Sequence, residues 1–309
     1  MPLHTDYRPA KLDEFLGNTG TVEALGAMLE RADHTRLFLF TGQAGCGKTT
    51  LAHIVANTVG AHPSDIQVIN SSNNRGIDTA RDIIVGAHYK AWFGDVKVYI
   101  LDEVHRATKD FQNAMLKIFE EPPKHVYFLL CTTDPDQLLP TIRSRAAKFN
   151  VIPLSKKRIV SMLQALCTRN KWQVPDEVLQ VIAQETDGVP RDALIALDMV
   201  RGVKDPEGFD EKKLRRLIKS TQIEQQSVLI LCRRLLNPKS KWALITKILK
   251  GLEGEPEQIR HAVLGYMSSV LLSEDNPQAA FVIENFSQPF HYTGKAGLIA
   301  ACYNSMLDE

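Results

Sequence analysis

Four short apolar runs divide the first half of the chain: LFLF (37–40), IQVI (66–69), VKVYIL (96–101) and VYFLLCTT (126–133). Their apolar residues are continuous rather than alternating, which predicts strands covered on both faces. The stretches between them follow helical spacing. In TKDFQNAMLKIFEEPP (108–123), Phe111, Ala114, Met115, Ile118 and Phe119 share one stripe. Thr108 is placed to cap that helix and Pro122–Pro123 to stop it. Strands alternating with helices predict a parallel sheet.

Beyond Pro153 the strand pattern ends. LSKKRIVSMLQALCTRN, VPDEVLQVIAQETDG and VPRDALIALDMVRG read as three short helices, with Ser155 and Pro175 near starts and Gly188 and Gly202 past ends. VKDPEGFDEKK is a polar connector. Longer helices follow from about residue 219, broken at Asn237–Pro238 and between Gly254 and Pro256. The expected organisation is an α/β domain at 1–153, a small helical domain at 154–218 and a helical bundle at 219–309.

Composition adds mainly exclusions. With 309 residues, 44% of them hydrophobic, the chain can bury more than one core. The first twenty residues are polar and broken by proline, so no signal peptide is expected. No apolar run reaches the ~18 residues of a membrane span. Five scattered cysteines without a CxxC pair fit reduced thiols in a cytoplasmic protein and show no zinc site. The net charge of +1 announces no nucleic-acid partner, so any DNA contact must rest on a local stripe of charge.

The chemistry begins at GQAGCGKT (42–49), which fits GxxxxGK[ST] between a strand and a helix. Gly42, Gly45, Cys46, Gly47, Lys48, Thr49 and Thr50 would wrap the phosphates of ATP. Lys48 would reach the β- and γ-phosphates and Thr49 would hold Mg²⁺. Cys46 reads as a small filler within that loop. Asp102–Glu103 end a buried strand, where two carboxylates are costly unless a cation or a reaction uses them. Asp102 would hold Mg²⁺ and Glu103 would orient the attacking water. Thr132 and Thr133 end the next strand. A hydroxyl there could sense the γ-phosphate, or TTDPD could simply be turn chemistry; the residues alone leave both open.

These motifs carry a resemblance. The segment from DEVHRATKDFQNAMLKIFEEPP through TTDPDQLLPTIRSRAAKF (102–149) resembles the bacterial DNA polymerase III gamma/tau subunit. INSSNNRGIDTARD (69–82) is similar to the small subunit of replication factor C. YRPAKLDEFLGN (7–18) and DGVPRDALIALD (187–198) fit both. All are clamp loaders of the AAA+ class. The resemblance implies a parallel-sheet phosphate-loop domain, a helical lid and an all-helical collar that holds the oligomer. The four-cysteine module of gamma/tau is missing, and the family's Ser-Arg-Cys stands as Ser144-Arg145-Ala146. That mixture suggests a phage-type small subunit, or a divergent cellular one, acting in the host or cellular cytoplasm.

By position, the resemblance implies that Tyr7, Arg8 and Pro9 line the adenine pocket, that Thr133 is the sensor of the fourth strand and that Arg191 is the sensor arginine of the lid. Arg145 would be an arginine finger reaching the neighbour's ATP, while Arg143 has no such role. Arg75, Arg81 and Lys109 would meet DNA phosphates, with Asp78 capping the helix after Arg75. Arg75 would also hold Glu103 off the water until DNA arrives. Trp92 and Phe93 are candidates for the clamp contact. The implied activity is ATP hydrolysis stimulated by DNA and clamp. The implied partners are a sliding clamp, primer–template DNA, copies of this chain and at least one different subunit in a pentamer. The rival expectations are another AAA+ remodeller, such as a helicase loader or branch-migration motor, and a non-hydrolysing structural subunit.

Overall fold

Five strands make one parallel sheet: β1 (Leu37–Thr41), β2 (Ile66–Asn70), β3 (Lys97–Asp102), β4 (Val126–Thr132) and β5 (Ala147–Asn150), in the order β2-β3-β4-β1-β5. The structure, a computed structural model, describes residues 3–72, 74–201, 215, 227–237, 240–252, 256–273, 275–290 and 292–306. Alternate residues of the central strands serve opposite faces. Leu37, Leu39, Tyr99, Leu101, Phe128 and Leu130 pack with α4 (Ile77–His88) and α5 (Lys109–Glu120). Phe38, Phe40, Val98, Ile100, Leu129 and Cys131 pack with α3 (Lys48–Thr58). Burial on both faces is why these runs are continuously apolar.

Two sequence expectations change here. β2 is an edge strand and Val68 is 44% exposed, so its apolar run is not covered on both faces. β5, preceded by α6 (Pro140–Arg145), is a strand that the apolar pattern does not announce. Only four residues long and carrying exposed Lys148 and Asn150, it gains its identity by pairing with β1.

The Ser155, Pro175 and Gly188 signals of the small helical region are matched by α7 (Lys156–Asn170), α8 (Asp176–Glu185) and α9 (Pro190–Val200), while Gly202 lies outside the described residues. Ser155 accepts from Arg158 N at 3.3 Å as the cap of α7. Gly188 has φ 77°, and its carbonyl accepts from Leu154 N at 2.8 Å. A Cβ at Gly188 would lie 2.0 Å from the Leu154 carbonyl oxygen, so this close approach needs glycine. The start of the chain is tied to the same helices. α1 (Leu3–Asp6) packs on α9, and the Tyr7 hydroxyl donates to Asn170 Oδ1 at 2.6 Å.

The chain parts into two compact units, 1–211 and 212–309. The α/β region and α7–α9 fall in the first. The second holds α10 (Trp242–Gly251), α11 (Pro256–Ser273), α12 (Pro277–Asn285) and α13 (Gly294–Asn304) around Ile245, Val263, Met267, Val282, Phe286 and Leu298. The expected connector at 203–213 and the boundary at 218–219 lie outside the described residues. All five cysteines are free and buried. Among the described residues no group of acidic, histidine or cysteine side chains forms a metal cluster, and no helix is long and apolar enough to cross a membrane.

Candidate nucleotide site

The loop after β1 turns through three glycines with positive φ: Gly42 at 141°, Gly45 at 79° and Gly47 at 108°. All three are also pressed against neighbours, Gly47 with its would-be Cβ 3.0 Å from Phe15 Cζ. A Cβ at Gly42 would lie 2.0 Å from the Val151 carbonyl oxygen, and one at Gly45 would lie 2.6 Å from Val189 Cγ1 and 3.3 Å from Arg191 Cβ. The loop is thereby clamped between the segment after β5 and the start of α9, which sets the side chain of Arg191 against it. Side chains are excluded, so backbone N–H groups can line the cavity at the start of α3.

Lys48 is the first residue of α3 and is buried. Its Nζ donates to the carbonyls of Gly42 at 2.9 Å and Gln43 at 3.1 Å. Cys46 is buried beside it, and burial pushes its thiol above the ordinary value, so it stays protonated and acts as filler. Thr49 Oγ1 donates to Asp102 Oδ2 at 3.2 Å, bridging α3 to the end of β3. Burial, then the charge of Glu103, raises the Asp102 carboxyl above its usual range. A buried carboxylate beside a second carboxylate and a hydroxyl is a donor set that suits a hard oxygen-seeking cation. Asp102 and Thr49 therefore fit Mg²⁺.

Glu103 has φ 50° and ψ 40°, a left-handed conformation for a non-glycine residue. Thr133 Oγ1 donates to its Oε2 at 3.2 Å, and His105 Nδ1 lies 3.4 Å from the same oxygen. Thr132, the last residue of β4, and Thr133 just after it differ in burial. Thr132 is fully buried, and its hydroxyl accepts from Asp134 N at 3.0 Å as turn chemistry. Thr133 is exposed and faces Glu103. His105, which the sequence reading passed over, lies with its Nδ1 3.0 Å from Thr132 Oγ1.

Arg8 also belongs to this neighbourhood. Burial, then the positive charge of Arg191, lowers its pKa, while Asp102 opposes the shift. Two cations set against each other and near Asp102 suit an anionic ligand. Pro9 is half-buried, and Tyr7 packs edge-on against Trp172 with ring centroids 6.4 Å apart. Thr50 follows Thr49 in α3, half-buried.

The remaining sequence candidates lie away from the loop. Arg145 Nη2 donates to Glu120 Oε1 at 2.8 Å and its Nη1 donates to the Thr141 carbonyl at 3.0 Å. Arg143 pairs with Asp136. Trp92 is 84% exposed and Phe93 70%. Their loop is anchored by Asp65, whose carboxylate accepts from the backbone N–H groups of Trp92, Phe93 and Gly94 at 2.6, 2.9 and 3.0 Å.

One expectation at the start of α4 is corrected. Gly76, not Asp78, is the N-cap of α4; Asp78 sits in the first turn and pairs with Arg81 Nη1 at 2.8 Å. Arg75 is exposed, and the described hydrogen bond to the Glu103 side chain comes from Thr133, with His105 Nδ1 at 3.4 Å. Arg75 is instead engaged through its backbone, its carbonyl accepting from Thr108 N at 3.0 Å. Thr108 caps α5 by accepting from Phe111 N at 3.1 Å, and Lys109 is exposed in that first turn. The starts of α4 and α5 therefore lie side by side.

Comparisons with known proteins find three kinds of similarity. The family described as "DNA polymerase III, delta subunit" matches residues 58–155. The DNA polymerase III subunit gamma/tau of Mycobacterium tuberculosis H37Rv is 31% identical over 223 residues, 65% of this chain and 39% of the relative. The DNA polymerase III subunit gamma of Buchnera aphidicola is 28% identical over 77% of this chain and 74% of its own length. Among solved structures, the RuvB Holliday junction branch migration motor of Thermotoga maritima has a TM-score of 0.57 at 21% identity, over 72% of this chain and 78% of its own. That likeness shows the fold alone. The chain spans about two fifths of the length of the gamma/tau relative.

Proposed function

We propose that this chain, a relative of the AAA+ subunits of clamp loaders, is the ATP-hydrolysing subunit of a sliding-clamp loader in DNA replication. The observation that carries the reading is the convergence of Thr49, Asp102, Glu103 and Thr133 at one edge of the sheet, beside the phosphate loop. The DNA polymerase III relatives give that convergence its replication setting.

Lys48 would exchange its two loop carbonyls for the β- and γ-phosphates, and the loop N–H groups would cradle the rest. Thr49 and Asp102 would hold Mg²⁺, which neutralises phosphate charge when bound. Glu103 would orient the attacking water, with Thr133 beside the γ-phosphate. Arg191 and Arg8 would face the anionic nucleotide, and Tyr7 and Pro9 its base. Water would form the new bond to the γ-phosphorus as the bond to ADP breaks. Arg145 would reach the ATP of an adjoining copy, where a cation offsets charge on the transferred phosphoryl group. The assembly would be a pentamer with at least one different subunit, and Trp92 and Phe93 would meet the clamp. Missing the four-cysteine module, the chain fits a phage-type small subunit, at work in the host cytoplasm.

The test is ATP turnover of the purified assembly with primed DNA, with and without a sliding clamp. Stimulation by clamp and primed DNA together, beyond DNA alone, is the expected result. Stimulation by branched DNA with no response to a clamp would favour a branch-migration motor, as the RuvB fold relative is named. Lack of turnover under every condition would make the chain a structural subunit.

A further inference from the structure

Two side chains from other positions stand against the carboxylate of the catalytic candidate Glu103. Thr133 donates to Oε2 at 3.2 Å, His105 Nδ1 approaches the same oxygen at 3.4 Å, and among the described residues Oε1 accepts no hydrogen bond. His105 is nearly buried, its side chain 9% exposed. Its Nδ1 also lies 3.0 Å from the buried Thr132 hydroxyl, so the ring is pinned between the ends of β3 and β4. The left-handed backbone of Glu103 is a conformation that persists only where surroundings hold it.

We infer that His105 is a positioning residue for Glu103: its ring, with the Thr133 hydroxyl, aims Oε2 and leaves Oε1 to meet the water. The inference rests on the reading of Glu103 as the water-orienting carboxylate. Its physical point is charge. A carboxylate that polarises water has to remain negative, and a cation bonded to it would blunt that. Burial lowers the His105 pKa, as do Arg106 and Lys48, while Glu103 and Asp134 oppose them. The ring is therefore a neutral donor at neutral pH, and the role requires the proton on Nδ1. Arg75, which the clamp-loader resemblance has hold Glu103 off the water, is not among the described neighbours of that side chain.

The test compares the full-length wild type with H105A, H105Q and E103Q, each in the same assembly. H105A should lower kcat about tenfold with KM for ATP nearly unchanged, since orientation and not binding is lost. H105Q, which keeps an N–H donor, should recover most of that loss. Nitrogen NMR of histidine-labelled full chain, with the His105 signal assigned by its absence from H105Q, should show the Nδ1–H tautomer and a shift of that signal in E103Q. An unchanged kcat in H105A, or the Nε2–H tautomer, would overturn the inference. So would a fall in kcat accompanied by matching changes in KM and melting temperature without rescue by H105Q, which is the signature of a structural role. Full turnover in E103Q would overturn the reading of Glu103 instead. Should the wild type not turn over, that reading fails too, and the tautomer measurement still decides the contact.

Discussion

The Arg145 guanidinium, in the last turn of α6, is held 2.8 Å from a carboxylate oxygen of Glu120, the last residue of α5. A second bond runs to the Thr141 carbonyl, and neither partner belongs to the chain's own phosphate loop. An exposed pair of this kind contributes little to stability. It does restrain a long side chain that would otherwise sample many rotamers. Arg145→Ala should therefore leave the melting temperature and ATP affinity nearly unchanged. Turnover in the assembly should fall by a factor of about 10³ to 10⁵, the range of arginine fingers in related phosphoryl transfer. Unchanged turnover with assembly intact would remove the finger assignment. Mixing Arg145→Ala with Glu103→Gln chains should restore some activity, wherever an intact arginine faces an intact site.

Trp92 and Phe93 stand in solvent, so truncation cannot open a cavity there. Trp92→Ala should hold the melting temperature while weakening binding to a sliding clamp. A titration in which the variant binds the clamp as tightly as wild type would place the contact elsewhere.

Asp65 predicts the opposite balance in the same loop. Its removal leaves three backbone N–H groups without their acceptor, and Asp65→Ala should cost about 2 kcal/mol of stability. Burial by itself would raise this carboxyl, but the three N–H groups outweigh it and hold the pKa below the ordinary value. A lowered carboxyl stabilises the fold above its unfolded pKa of about 4 and loses that contribution as pH falls through the folded value. Asp65→Asn should flatten the acid limb of stability, read as melting temperature against pH. Parallel acid limbs in the two proteins would contradict the assignment.

Arg75, Arg81 and Lys109 cluster where α4 and α5 begin, and they carry no base-reading geometry. Each alanine variant should weaken primed-DNA binding independently of base sequence. Each should reduce the slope of log affinity against log salt by about one. Because Thr133 bonds Glu103 in this structure and His105 stands beside it, Arg75→Ala should leave ATPase without DNA unchanged. A rise in that basal rate would instead mean that Arg75 restrains Glu103 in some other conformation.

The nucleotide loop and the buried strands were legible in the chain because their chemistry is local. GQAGCGKT places glycines, lysine and threonine within one turn, and LFLF, VKVYIL and VYFLLCTT are long enough to announce burial on both faces. Asp102 and Glu103 stood out because carboxylates rarely end such a strand without a use. The short β5 was not legible, since a four-residue strand has no period of its own and exists through its hydrogen bonds to β1. Neither was the edge position of β2, which depends on strand order rather than on composition. The choice between Thr132 and Thr133 turned on one residue of alternation at the end of β4, which buries one hydroxyl and exposes the next. His105, Glu120 and Asp65 acquire their partners 27, 25 and 27–29 residues away. Local spacing determined which residues could bind a phosphate or end a strand. Only the packing of separate strands and helices decided which polar groups meet, because those partners share no sequence period.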